Sequence, residues 1–154
     1  MDGELARTAA AQGGFFYRWQ ALDCGVTENE VAARLRQRDW VKLRRGAYAP
    51  AALVTPLSPV ARHALLARTV VGNLTGEVVV TGFSALAIRS VPLWGVDLTE
   101  VHVHRDGGRS SRRDAGVVHH IGPMTAAEVE HVDGLLLAST ERALLDASRW
   151  SPYH

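Results

Sequence analysis

The spacing of apolar residues in the first fifty positions predicts three helices followed by a β-hairpin. An alanine-rich helical stretch over Glu4–Gln12 ends at two glycines, and a second helix is predicted over Tyr17–Cys24. Thr27 and Glu30 form a capping-box pair, in which each side chain bonds a free backbone N–H at a helix start. A third helix is therefore predicted from this pair to about Arg38.

The predicted hairpin follows the third helix directly. Val41 and Leu43 alternate with basic residues, Arg45-Gly46 makes a turn, and Ala47–Ala49 runs back. Phe15-Phe16, between the first two helices, is predicted as a short extended link. A helix, a tight glycine-containing turn, a capped helix and a hairpin form the outline of a winged helix-turn-helix.

Prolines at positions 50, 56 and 59 predict a boundary between two small domains, residues 1–55 and 56–154. The second domain mixes both kinds of secondary structure, since helical spacing and short β-like runs alternate along it. Its predicted elements are a helix over 58–74, a strand over 78–81, a helix over 84–89, β-like runs over 100–104 and 116–121 joined by the polar loop 105–115, a hairpin over 129–138 turning at Asp133-Gly134, and a helix capped by Ser139 that ends at Trp150. The predicted fold class is α+β: an N-terminal winged helix-turn-helix followed by a small mixed α/β domain.

Charge is distributed unevenly along the chain. The protein holds 17 Lys and Arg against 16 Asp and Glu, a net charge of +1, so it has no strong overall positive field. Between positions 34 and 45, however, six cations stand against one carboxylate, a local net charge of +5. DNA binding requires such a patch, because neutralisation of phosphates supplies most of the affinity. The six cations are Arg34, Arg36, Arg38, Lys42, Arg44 and Arg45, and the carboxylate is Asp39.

The third helix has side chains suited to base recognition. A helical projection turns Val31 and Leu35 toward the core with Ala32 near them, and turns Asn29, Ala33, Arg36 and Gln37 outward. Asn and Gln can bond the edge of adenine, Arg can bond guanine, and a small alanine permits close approach. The predicted DNA-binding residues are Thr27, Asn29, Ala33, Arg34, Arg36, Gln37, Arg38, Lys42, Arg44 and Arg45. An ordinary solvated helix face, and a charged hairpin end that only prevents edge-strand aggregation, are the alternatives.

Several motifs resemble those of AbiEi-type antitoxins, the DNA-binding partners in type IV toxin–antitoxin and abortive-infection systems. The resembling stretches are Gln12–Phe16, Gln20–Leu22, Gly25–Thr27, above all Trp40–Ala49, and then Val101–Val103, Gly107–Ser110, Val132–Leu135 and Ser139–Asp146. They cover nearly the whole chain. The resemblance implies autorepression of an operon, with double-stranded operator DNA as one partner and a nucleotidyltransferase-like toxin as the other. A homodimer on the DNA is a further expected partner arrangement.

The main alternative is the DNA-binding and scaffold portion of a restriction-type endonuclease-like protein. Similar proteins often continue into a domain resembling very-short-patch-repair endonucleases, and the sequence stops at His154 before any such domain. Nucleases of the restriction type use a Glu-x-Lys pair, but the only lysine, Lys42, lies two positions after Trp40. No hydrolase, phosphate-loop or dinucleotide motif is present either, so the protein is predicted not to be an enzyme. A third alternative is an interaction module whose winged helix binds protein.

Histidines and the single cysteine are the remaining candidates for chemistry. His102 and His104 would share one face of a strand, with His119-His120 on a neighbouring strand, but no carboxylate or thiolate completes a metal site. No metal and no cofactor are therefore predicted. One cysteine, Cys24, cannot form an internal disulfide, and with no apolar run long enough for a membrane helix this predicts a cytoplasmic protein.

Two charged stretches of the second domain are further candidate surfaces. The loop after residue 104 carries four arginines against Asp106, a net charge of +3, and is either a second phosphate contact or a solvated loop. Its arginines are Arg105, Arg109, Arg112 and Arg113. Residues 114–154 hold six acids against Arg142 and Arg149, a net charge of −4, which suits a protein partner better than DNA.

Overall fold

Seven α-helices and two β-sheets make up residues 3–150, the part of the chain that the computed structural model describes. The fold is α+β, as predicted. The chain separates into two units between Ser58 and Pro59, close to the cluster of prolines. Within residues 3–150, no helix combines the length and the apolar character needed to cross a membrane.

The first unit contains the three predicted helices and the predicted hairpin. In chain order its elements are α1 (Gly3–Ala11), β1 (Phe16–Tyr17), α2 (Arg18–Asp23), α3 (Glu28–Arg36), β2 (Trp40–Arg44), β3 (Ala47–Pro50) and α4 (Ala51–Val54). The short extended link predicted at Phe15-Phe16 is extended and also part of the sheet, because Phe16 and Tyr17 form a strand that pairs with Tyr48 and Ala47 of β3. The short helix α4 was not predicted.

The sheet of the first unit has the order β1-β3-β2 and is antiparallel throughout. Its central strand, β3, is buried along Ala47–Ala49. Phe16 from β1 meets Trp40 from β2 edge to face, with ring centroids 4.8 Å apart. Leu5 of α1 and Val31 of α3 belong to the same buried cluster, so the three helices and the sheet share one core.

The hairpin turn of the first unit depends on Gly46, whose φ is +76°. A side chain is strained at this backbone angle, so glycine is the natural residue there. The pairing register also shifts in front of the turn: Lys42 faces Tyr48, whereas Arg44 faces Ala47. This β-bulge leaves Arg45 exposed at the tip and Arg44 partly buried behind it.

The second unit is a six-stranded mixed sheet with helices packed on it. Its elements are α5 (Pro59–Asn73), β4 (Val79–Val80), α6 (Gly82–Ile88), β5 (Val101–His104), β6 (Arg112–Asp114), β7 (Val117–His120), a 3-10 helix (Ala126–Glu128), β8 (Val129–Val132), β9 (Leu135–Ala138) and α7 (Thr140–Trp150). The strand order is β6-β7-β5-β4-β9-β8. β5 and β7 are parallel neighbours, because the chain between them folds back through β6. The predicted loop 105–115 is therefore wrong in part, since it contains this strand.

Two local predictions in the second unit are confirmed. Asp133 and Gly134 have φ values of 49° and 79°, the left-handed pair that a tight two-residue hairpin needs. The Ser139 hydroxyl accepts a hydrogen bond from the backbone N–H of Arg142 at 3.2 Å and so caps α7. The core beneath these elements is aliphatic, and its fully buried members include Val80, Val101, Val103 and Leu137.

Candidate nucleic-acid interface

The start of α3 is fixed by the predicted capping box. The Thr27 hydroxyl accepts from the backbone N–H of Glu30 at 3.2 Å, and the Glu30 carboxylate accepts from the backbone N–H of Thr27 at 3.3 Å. Both side chains are exposed. The hydroxyl proton of Thr27 takes no part in these two bonds. Thr27 can therefore cap the helix and still donate a hydrogen bond to a phosphate.

The outward face of α3 agrees with the sequence in most but not all positions. Asn29 and Arg36 are exposed, and Val31 is buried in the core, as expected. Ala32, expected near the core, is exposed, and Ala33, expected to be fully outward, is partly buried. Periodicity gives the width of a buried arc, but α2 and β2, which both contact this helix, decide its orientation.

The last predicted residues of the third helix lie outside it. α3 ends at Arg36, and Gln37 is its C-cap residue. Arg38 has a φ of +61°, in the left-handed region, and begins the turn into β2. Gln37 and Arg38 are both exposed. They therefore belong to a turn between the helix and the hairpin, and the helix face itself holds fewer of the predicted DNA-binding residues.

Most of the predicted cations are available to a ligand. Four of them are exposed, and within residues 3–150 no hydrogen bond or ion pair engages their side chains: Arg36, Arg38, Lys42 and Arg45. Arg34 differs, because its Nη1 lies 3.0 Å from Oδ2 of Asp39. This pair is exposed at both ends, so a competing phosphate can replace the carboxylate at little cost. We call the four free cations together with Arg44 the basic cluster.

Carboxylates in the first turn of α3 cancel part of the positive charge at this end of the helix. Counted over residues 27–46, six cations stand against Glu28, Glu30 and Asp39, which leaves a net charge of +3. Glu28 is paired with Arg18, whose Nε lies 3.1 Å from Oε2. The positive field is thus strongest at the C-terminal end of α3 and along the hairpin.

Two residues beside the hairpin, Arg18 and Trp19, were not predicted from the sequence. The backbone N–H of Arg18 donates to the carbonyl of Gly46 at 2.9 Å, which ties the start of α2 to the hairpin turn. Trp19 is 57% exposed, and its ring lies parallel to that of Tyr17. An arginine and an exposed tryptophan in succession are a usable signal for nucleic-acid contact. Burial raises the pKa of Tyr17 to about 12 although Arg44 is near, so its hydroxyl remains a donor at neutral pH.

Two of the four arginines in the predicted second basic loop are bound within their own unit. Arg105 donates to the Thr75 carbonyl at 2.9 Å and to Nδ1 of His119 at 3.2 Å. Arg113 donates to Glu100 at 2.8 Å. Arg109 and Arg112 are exposed, and Arg112 lies on the edge strand β6. A phosphate contact by this segment therefore rests on two free arginines.

Arginines from earlier in the chain pair with two of the six carboxylates in the acidic stretch after residue 113. Glu130 pairs with Arg89 at 2.8 Å, and Asp133 pairs with Arg68 at 3.4 Å. Asp146 is buried and accepts from Arg142 within the same stretch. The net charge of −4 in the sequence is therefore not a continuous acidic surface, and it gives little support to a protein partner.

The histidines lie on adjacent strands, as predicted. His104 of β5 stands directly opposite His120 of β7 in the parallel pairing, and His102 shares their face. Nδ1 of His102 lies 2.9 Å from Nε2 of His120, while Nε2 of His104 bonds the Gly122 carbonyl at 2.7 Å. No group of three potential metal ligands is found within residues 3–150.

One serine–histidine pair was not foreseen. Oγ of Ser84 lies 2.9 Å from Nε2 of His63, whose Nδ1 donates to the Leu98 carbonyl at 2.9 Å. Ser84 is completely buried, and its oxygen also accepts from the backbone N–H of His102 at 2.9 Å. No substrate can reach this hydroxyl, so the pair is a packed hydrogen-bond network.

The buried histidines predict acid sensitivity of the second unit. Burial lowers the pKa of His63 and His102, and lowers that of His120 to about 4. As the pH falls, these histidines bind protons in the unfolded chain at a higher pH than in the folded chain. The stability present above pH 6.5 is therefore lost as the pH falls toward 4. Urea unfolding between pH 7 and pH 5 should show this loss, and His120→Gln should reduce it. The exposed His131→Gln should unfold with the wild-type pH dependence, and an unchanged slope in His120→Gln would count against the assignment.

The hairpin tip is expected to add affinity without selectivity. If Arg44 and Arg45 meet phosphates, replacing both with alanine weakens binding to specific and random duplexes alike. The slope of log K against log salt should fall by about 0.9 for each phosphate that the variant no longer neutralises. A salt titration by fluorescence anisotropy measures both quantities. Weaker binding of the specific duplex alone would mean that the hairpin contacts bases instead.

Known proteins do not identify the function. Comparisons of the chain with models of protein families, with curated proteins and with solved structures found no match. The chemistry of the described residues is therefore the basis for assigning a function. The basic cluster presents several exposed cations beside a capped helix, which is chemistry suited to a polyanion.

Proposed function

We propose that the first unit is a winged helix-turn-helix that binds an operator in double-stranded DNA. The observation that carries the proposal is the set of four exposed and unpaired cations that follow or end α3 and continue into the hairpin. Support also comes from the element order helix, strand, helix, helix, hairpin and from the sheet order β1-β3-β2. In this arrangement α3 enters the major groove and the hairpin lies along the phosphates.

The spacing on α3 fits base recognition. Asn29 and Arg36 are seven residues apart, about two helical turns, so their side chains leave the same side of the helix about 10 Å from each other. Ala33 lies between them and is small enough for the helix to approach the base edges. Neither Asn29 nor Arg36 has a partner among the described residues that a base would have to displace.

We further propose that the protein is the antitoxin and transcriptional autorepressor of a type IV toxin–antitoxin system. This part rests on the sequence resemblance, most strongly that of the segment Trp40–Ala49, which forms the hairpin. The toxin would be nucleotidyltransferase-like, and a homodimer would place two copies of α3 on two half-sites of the operator. Such half-sites are spaced by one helical turn of DNA, about 34 Å, or a multiple of it. Neither role requires a catalytic step by this protein.

Repression and neutralisation can be tested separately. A reporter gene placed behind the DNA upstream of the protein's own reading frame should be silenced by the wild-type protein and released by Arg36→Ala. Co-expression with the product of the neighbouring reading frame should rescue growth if that product is a toxin. Repression without rescue would leave a DNA-binding regulator and remove the antitoxin assignment. A reporter unaffected by the wild-type protein would contradict autorepression.

A further inference from the structure

The second unit contains a cleft that the proposed DNA binding does not use. Its volume is about 820 Å³, and all of its lining residues belong to that unit. Sites for metabolites and cofactors have volumes of roughly 300 to 1,000 Å³ and combine aromatic walls with a few polar groups. The residues that matter here are Phe83, Asp97, His102, His120, Arg149 and Trp150.

The floor of the cleft is a stack of flat rings. The His120 ring and the Trp150 ring lie 3.4 Å apart and are inclined by only 3°. His102 is nearly parallel to both, with centroids 5.2 Å from His120 and 5.4 Å from Trp150. Phe83 adds a fourth aromatic side chain. Trp150 is only partly buried, so a planar ligand can add to this stack.

The two histidines offer a donor and an acceptor as a linked pair. One proton lies between Nδ1 of His102 and Nε2 of His120, which are 2.9 Å apart. Whichever ring supplies it, one of the two remaining ring nitrogens is an N–H and the other is a lone pair. Burial lowers the pKa of both rings, so both are neutral at pH 7. The free donor and the free acceptor can therefore bond polar substituents of a ligand.

The charged groups of the cleft favour an anion at one place. Arg113 is paired with Glu100 at 2.8 Å, and Oδ1 of Asp97 accepts both the backbone N–H and the hydroxyl of Thr99. Arg149 is exposed, and no hydrogen bond or ion pair within the described chain engages its side chain. A free guanidinium at the rim of an aromatic cleft is a site for a carboxylate or a phosphate.

We propose that this cleft binds a small planar heteroaromatic anion, with its ring on the His120–Trp150 stack and its carboxylate or phosphate at Arg149. A polar substituent that leaves the plane of the ligand ring can reach the histidine pair, and an amino or ring N–H group can donate to Asp97. The proposal does not depend on DNA binding.

Calorimetry on the full chain can test the proposal with two sources of the anion. The probes are AMP for a phosphate and nicotinate for a carboxylate, with adenosine, nicotinamide and inorganic phosphate as the partial ligands. We expect at least one of the two anions to bind with a dissociation constant below about 1 mM, and its uncharged counterpart to bind about tenfold weaker or worse. Inorganic phosphate alone should not bind, because it lacks the ring.

Two variants locate the site. Arg149→Gln should weaken binding of the anionic probe by about tenfold or more and leave the uncharged counterpart unchanged. Arg62→Gln changes another exposed cation of the same unit, outside the cleft lining and outside the basic loop, and should bind like the wild type. Both variants change exposed side chains, and matching thermal unfolding curves verify that they are folded. Absence of binding by both AMP and nicotinate, or equal weakening by the two variants, would overturn the proposal.

Discussion

Replacing Asn29 and Arg36 together by alanine is expected to weaken operator binding by about 2–6 kcal/mol, and to change binding to random duplex much less. Each of these side chains can make a bidentate contact to one base edge, worth about 1–3 kcal/mol against the wrong base. Both are exposed, so folding of the unit should not change. Fluorescence anisotropy with the two duplexes at one salt concentration measures the difference.

The control for this variant is Arg7→Ala, which removes an exposed arginine from α1. It should bind both duplexes like the wild type. If the double variant loses affinity equally for operator and random duplex, its residues contact only the backbone of the DNA. α3 would then not determine sequence selectivity, and the selectivity would have to be sought in the turn at Gln37 and Arg38 or in the hairpin.

Asp146→Ala is expected to destabilise the second unit by about 3–5 kcal/mol. Asp146 is only 2% exposed, and its Oδ2 accepts from the Thr81 hydroxyl at 2.6 Å. Its Oδ1 accepts from Nε of Arg142 at 3.0 Å, and Arg142 also bonds Glu128 at 2.8 Å. Removing the carboxylate leaves the largely buried guanidinium of Arg142 and the buried hydroxyl of Thr81 each with one partner fewer. Chemical unfolding of wild type and variant at pH 7 measures the loss of stability.

Two further substitutions on α7 make this experiment specific. Glu141→Ala changes an exposed carboxylate and should shift the free energy of unfolding by less than about 0.5 kcal/mol. Asp146→Asn keeps an acceptor for Thr81 but removes the charge. Its loss of unfolding free energy should lie between those of Glu141→Ala and Asp146→Ala. A destabilisation below about 1 kcal/mol for Asp146→Ala would show that the network adds little to stability.

Features determined by neighbouring residues could be predicted from the sequence. The Thr27–Glu30 capping box, the Asp133-Gly134 turn and the Ser139 cap each depend on a few consecutive positions, and the structure contains all three. The hairpin after α3 is similar, because the left-handed angle of Gly46 specifies the turn. These signals are local, so they do not require knowledge of the rest of the fold.

Features that depend on distant partners could not be predicted. β1 is two residues long and becomes a strand only because Tyr48 and Ala47 pair with it from about thirty residues further on. β6 likewise exists through its pairing with β7. The cleft and the Ser84–His63 bond bring together residues that lie far apart in the sequence. Hydrophobic periodicity contains no information on such pairings.

The candidate interface was predicted in its residues better than in its charge balance. The exposed cations after Leu35 were identified, but the neutralisation of Arg34 by Asp39 and of Glu28 by Arg18 follows from side-chain geometry. The hydrogen bonds from Arg105 and Arg113 could not be predicted either, because their acceptors Thr75 and Glu100 lie outside the basic loop. Net charge over a stretch of sequence therefore overstated the second basic surface.

Selection of bound duplexes from a pool of random sequences, followed by a salt titration of the selected and unselected DNA, tests the central claim most directly. We expect a converged sequence that is bound at least about 1,000-fold more tightly than random DNA. With the four unpaired cations at phosphates or bases, the slope of log K against log salt should be about −3 to −4. No enriched sequence, together with a slope near zero, would contradict the assignment of DNA binding to the first unit.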